Sequence, residues 1–331
     1  MHTEPVFESS EFGHVSTGSL PTAERVESAL RAAYGRYRLD TDGALSQVYP
    51  ALARVPADLF GICLAGVGGA LFAAGDTDIE FTIMSISKPF VFALVCDQIG
   101  PRAAQRLLGA NATGLPFNSI NAVENSADGR TNPMVNSGAI MTTSLAPGTT
   151  AEERWAFIHD GLSKFAGRTL PLNDEIYQSA TETNFRNRSI AHLLHSRSAL
   201  YSDPAEATDL YTRQCSLNVT AKDLAVMGAT LAHGGINPVT GERIIGREVC
   251  HYTLATMATA GMYETSGDWL YEVGLPGKSG IGGGLITVAP GKGGLATFAP
   301  LLDSAGHSVK GQHVARYLSQ QLGMDLFISG D

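Results

Sequence analysis

What this chain has little of narrows its chemistry first. Only 4 of its 331 residues are cysteine. Cys63, Cys96, Cys215 and Cys250 are scattered, without the short pairs that zinc sites and redox motifs use. They read as free, buried thiols in a reducing compartment. Charge is sparse at 17%, and its balance is acidic, with 23 Lys+Arg against 32 Asp+Glu. A net charge of -9 argues against a nucleic-acid partner, which needs a concentrated basic surface. No run approaches the roughly 20 apolar residues that span a bilayer, so no membrane partner is expected. The opening stretch MHTEPVFESSEFGHVSTGS carries acids where a signal peptide has an apolar core, which points to the cytoplasm. The 9 histidines lack ligand spacing, so no metal is expected; no organic cofactor is expected either.

What is present suits a compact α/β or α+β enzyme: 44% hydrophobic residues, 37 Gly and 15 Pro. After a flexible arm over residues 1–20, residues 21–38 predict a helix with Ala23, Val26, Ala29, Leu30 and Ala33 on one face. LFGICLAGVGGALFAAGD, split by Gly68 and Gly69, is a hairpin signal. The middle of the chain is helical in RAAQRLLG, AEERWAFIHDGLSKFAG, RNRSIAHLLHS and TAKDLAVMGATLAHGG, several of them closed by glycine. Strand-like LITVAP and GGLATFAPLLD follow, then an amphipathic helix, VKGQHVARYLSQQLG. The expectation is one catalytic domain over 21–331: a sheet part from about 21–95 plus 245–331, and a helical part over about 96–244. The cleft between the two is the place for a site.

Chemistry first shows in FTIMSISKPFVFALV, where Ser85 and Lys88 are one helical turn apart and Pro89 marks a helix start. There the backbone N–H groups favour a developing negative charge, and a desolvated lysine can serve as base for a serine. On this motif alone the favoured reading is Ser85 as a plain N-cap and Lys88 as a solvated side chain, since S-x-x-K is short and common. Ser87 reads as a bystander. The second signal is Lys278-Ser279-Gly280, leading into an apolar strand in GLPGKSGIGGGLITV. The two motifs in this order match the serine acyl-transfer enzymes related to penicillin-binding proteins, in which a backbone N–H of the strand edge completes an oxyanion hole.

Longer blocks then carry a resemblance: GLPFNSI, NPMVNSGAI, TDLYTRQCSLNVTAKDLAVMGATLAHGGINP, GMYETSGDW and GLPGKSG. Over about residues 24–326 the chain resembles the serine-dependent glutaminases of the glutaminase A group. The resemblance implies a β-lactamase/penicillin-binding-protein-like α/β (α+β) fold, an antiparallel sheet flanked by helices with a helical subdomain inserted. It implies hydrolysis of L-glutamine to L-glutamate and ammonia by a homo-oligomer, a dimer or tetramer. Ser85 is implied as nucleophile, Lys88 as its base, and Tyr263 as a proton carrier or a support for the tetrahedral intermediate. Asn136, Asn187 and Tyr211 are implied as substrate-binding side chains, with Ile281 acting through its backbone where the family usually has valine.

Two positions depart from the family pattern. Ala180 stands where a glutamate that holds the substrate's α-ammonium is usual, and Glu182 is the nearest acid that could take over. Val48 stands where a tyrosine is common, with Tyr49 beside it. These departures keep two alternatives in view: a catalytically weakened amino-acid-binding homologue, and another serine amidohydrolase of the same fold.

Overall fold

The structure is a computed structural model that describes residues 18–328; the arm expected over residues 1–20 lies, up to residue 17, outside the described residues. The predicted first helix spans Ala23–Tyr37 and buries Val26, Leu30 and Ala33, the positions its period selects. The glycine-split segment forms a hairpin of strands Gly61–Gly66 and Leu71–Gly75. Its turn needs Gly69, which has φ +87 and lies so close to Pro238 that a Cβ would sit 2.8 Å from the Pro238 carbonyl oxygen.

Five antiparallel strands make the main sheet. Their spatial order is Leu71–Gly75, Gly61–Gly66, Gly293–Phe298, Gly284–Ala289 and Gly277–Ser279. The central pairing sets Cys63 opposite Ala296 and Leu64 opposite Leu295. Residues of alternating parity enter different cores. Ile62 and Leu64 join Val26, Leu30, Val314 and Leu318 from the helices Ala23–Tyr37 and Val309–Gln321. Cys63 and Ala65 join a larger core that includes Leu224 and Met227 of the helix Ala221–Ala232. Because both faces are covered, the central strands are buried throughout and read as apolar runs without alternation.

The helix Ala221–Ala232 lies directly on the strands. A Cβ on Gly294 would meet Ala225 O and Ala229 N at 2.5 Å, so glycine sets this close approach. The helix Ser87–Ile99 is different: every residue from Ser87 to Cys96 is buried, and it runs through the larger core. A short antiparallel pair, Phe81–Thr82 with Asn218–Val219, ties the chain before Ser85 to the segment after Cys215. Among the described residues, no helix is long and apolar enough to cross a membrane.

Candidate active site

Ser85 sits in a 3-10 turn, Met84–Ile86, that continues into the helix Ser87–Ile99. Met84 is held at φ 47, a left-handed backbone that costs a non-glycine residue on the order of 1–3 kcal/mol. Several contacts hold that turn. The Ile83 N–H donates to Leu217 O at 2.8 Å. Ser87 Oγ donates to Met84 O at 2.8 Å and accepts from Gln214 Nε2 at 3.2 Å. Ser87, a bystander by its spacing, is thus a brace for the turn that carries Ser85. The glycines after Lys278-Ser279 have an equally definite role: a Cβ would lie 2.9 Å from Ile83 O at Gly280 and 2.6 Å from Thr82 O at Gly282. They let the edge strand press against the backbone that presents Ser85.

Lys88 lies in the first helical turn and is buried. Its Nζ donates to Asn136 Oδ1 at 2.7 Å, and the same oxygen accepts from the Tyr211 hydroxyl at 3.1 Å. Asn136 Nδ2 in turn donates to Asn187 Oδ1 at 2.9 Å. Four helices meet in this network: Ser87–Ile99, Asn136–Ser144, Phe185–Ser196 and Pro204–Cys215. Among the described residues Lys88 has no carboxylate partner; the rings of Tyr263 and Tyr211 lie 5.4 and 5.9 Å from its Nζ. Burial therefore pulls its ammonium down to about 7. At neutral pH a large fraction of Lys88 is a free amine.

Tyr263 occupies a second strained turn, with φ 56, and its hydroxyl shares a hydrogen bond with Ser85. Burial raises its phenol far above the usual range, so it is a neutral O–H. Behind the ring is a second buried lysine: Lys278 Nζ lies 3.9 Å from the ring centroid and donates to Ser279 O at 2.8 Å. Burial and then Lys88 hold Lys278 well below the ordinary lysine range. His307 stacks on the same tyrosine, with centroids 5.6 Å apart. Thr265 Oγ1 gives its proton to Met262 O, so at 3.0 Å from His307 Nε2 it accepts. Nδ1 then accepts from Ser279 Oγ at 2.5 Å, which assigns the neutral Nε2–H tautomer. Burial, aided by Lys278, lowers His307 to about 4.

Beside these groups lies a small cavity of about 130 Å³. Ser85, Asn136, Asn187, Tyr211 and Ile281 line it; Lys88 and Tyr263 reach it through Asn136 and Ser85. Glu182 does not. It is exposed and absent from the lining, because two residues along the helix Asp174–Thr183 rotate it to the far side from Ala180, which does face the cavity. Val48 and Tyr49 both line the pocket, and burial raises the Tyr49 phenol to about 12. Cys215 lines it too, with its thiol raised by burial. Sequence reasoning missed Arg186, Phe117 and His307. Phe117 and Arg186 stand inside or beside quoted blocks, but His307 has no local signal. No group of three or more His, Cys, Asp or Glu among the described residues could hold a metal.

Comparison with known proteins bears on this arrangement directly. A glutaminase family profile matches residues 43–327. The chain is 66% identical to Glutaminase 2 of Yersinia pestis over 96% of this chain and 93% of that one. It is 47% identical to the glutaminase of Brucella canis over 92% and 96% of the respective chains. Among solved structures, the probable glutaminase YbaS superposes with a TM-score of 0.92 at 44% identity, covering 93% of this chain and 100% of that one. Mglu in its glutamate form gives 0.87 at 38%, covering 92% and 70%. The sheet flanked by helices is thus the β-lactamase-like fold of these neighbours, and with a match that takes in the serine turn, the buried lysine and the pocket walls alike, the chain belongs to the glutaminase family.

Proposed function

We propose that this protein hydrolyses the side-chain amide of L-glutamine through a serine acyl-enzyme. The Lys88 amine takes the Ser85 hydroxyl proton as Oγ attacks the amide carbon. The oxyanion that forms is held by the backbone N–H groups of Ser85 and Ile281. Tyr263, hydrogen-bonded to Ser85, passes the proton to the departing ammonia. Water then attacks the acyl-serine with Lys88 again as base, releasing glutamate and restoring Ser85. Asn136, Asn187 and Tyr211 orient the substrate, and the Asn136–Lys88 bond couples that orientation to the base.

The observation that carries this reading is the buried, carboxylate-free Lys88, pulled down to about 7 one turn from Ser85. A solvated lysine near its ordinary value would leave the serine unactivated. We take residues 21–331 as a single catalytic domain, with a sheet part (21–95 and 245–331) and a helical part (96–244), acting in the cytoplasm as a homo-oligomer. The likeness to Mglu, whose structure holds glutamate, supports the substrate. The test is ammonia release from L-glutamine by the intact protein and by Ser85→Ala. Turnover that vanishes in the variant is expected; turnover that survives it would overturn the mechanism.

A further inference from the structure

The chemistry of the pocket wall is one-sided. Of the described side chains that line it, Arg186 alone carries a formal charge, and none is a carboxylate. Several of the acceptor oxygens are taken by the protein itself. Asn136 Oδ1 receives both Lys88 and Tyr211, and Asn187 Oδ1 receives Asn136 Nδ2. Thr212 Oγ1 receives Asn184 Nδ2 and donates to Thr208 O. Asn184, also in the wall, has an Oδ1 that is unpartnered and closed to solvent. Donors, by contrast, remain. Arg186 uses Nε on Asn118 O at 2.6 Å and forms no ion pair among the described residues. A wall with one cation and no carboxylate suits a carboxylate and offers an ammonium, whose three donors need acceptors, only neutral oxygens.

We infer that this pocket recognises a five-carbon ω-amide by its carboxylate, through Arg186, and does not require an α-ammonium. Amides of glutaric-acid type that lack the amino group are therefore substrates alongside L-glutamine. The inference rests on the serine amidohydrolase reading above. The reaction balances in the same way: Ser85 Oγ forms the ester bond as the C–N bond breaks and ammonia leaves with the transferred proton. Water then gives the dicarboxylate and the free serine. Ala180, which faces the cavity and is 3% exposed, is the position where an acid would reverse the preference.

The test compares ammonia release from glutaric acid monoamide and from L-glutamine by the intact protein. The inference expects kcat/KM values within about tenfold of each other, since a charge-assisted bond to the ammonium would separate them further. Glutamine turnover with the monoamide more than about tenfold slower would overturn it and leave the glutaminase reading standing. Ala180→Glu is expected to shift the ratio toward glutamine by about tenfold. Arg186→Gln is expected to raise KM for both amides about tenfold with kcat little changed; unchanged KM values would remove Arg186 from the account. Should neither amide be turned over, the catalytic reading fails, and calorimetric binding of the two compounds still decides the inference. Comparable affinities support it, and glutamine bound more than about tenfold tighter overturns it.

Discussion

Two lysines are buried beside Tyr263, and they differ in what their amines can reach. Lys88, on a helix, donates to a side-chain amide whose neighbours Asn187 and Tyr211 line the cavity. Lys278, on the edge strand, donates to the Ser279 backbone carbonyl and lies on the tyrosine ring face. Burial lowers both. Desolvation alone therefore does not make a catalytic base; the partner decides whether the free amine faces the reaction or locks the frame around it. On the mechanism proposed here, Lys88 is of the first kind and Lys278 of the second.

The largest effect should come from the proposed nucleophile, Ser85. Ser85→Ala is expected to cut kcat by about 10⁴-fold or more, whereas Cys215→Ala, which removes the other nucleophile lining the pocket, should change kcat by less than about threefold. Next, Lys88→Met keeps the length and removes the amine. It should lower kcat by roughly 10³-fold, the range of a lost general base. Lys278→Met removes one hydrogen bond to a carbonyl and should cost at most about tenfold. Equal losses in the two methionine variants would erase the distinction drawn between the lysines.

His307 sharpens the comparison on the Lys278 side. Its folded value of about 4 lies below an ordinary 6.5. The neutral form is the one the fold holds, so its contribution is complete above pH 6.5 and is lost as pH falls from 6.5 toward 4. Urea titrations of the intact protein and His307→Gln at pH 7 and 4.5 should show a smaller acid loss in the variant. The smallest effect per step is on rate. kcat/KM should fall about tenfold per pH unit below a midpoint near 7, as Lys88 gains its proton, and level off above it. Lys278→Met should leave that midpoint in place.

Much of the frame was readable because it is local. The helix Ala23–Tyr37, the hairpin around Gly69 and the helix start at Ser87 follow from apolar period, turn glycine and Pro89. Ser85, Lys88 and the Lys278-Ser279-Gly280 edge were legible as spacing. What the spacing could not carry was contact between distant segments. Gly280 and Gly282 make room for the Thr82–Ile83 backbone, and Ser87 holds Met84 in its strained turn. Neither is visible without knowing which chain passes by. His307 joins the site from 28 residues beyond Ser279, through a single ring. Glu182 shows the opposite limit: proximity in sequence suggested a replacement acid, and the rotation of one helix removed it.

The central claim is that Ser85 attacks and Lys88 makes it able to. The most direct measurement is peptide mapping after exposure to an electrophilic diazoketone analogue of glutamine, for the intact protein and Lys88→Met. The account predicts label on Ser85 in the intact protein and almost none in the variant. Label on Cys215 or Lys278, or undiminished labelling of Ser85 without Lys88, would contradict it.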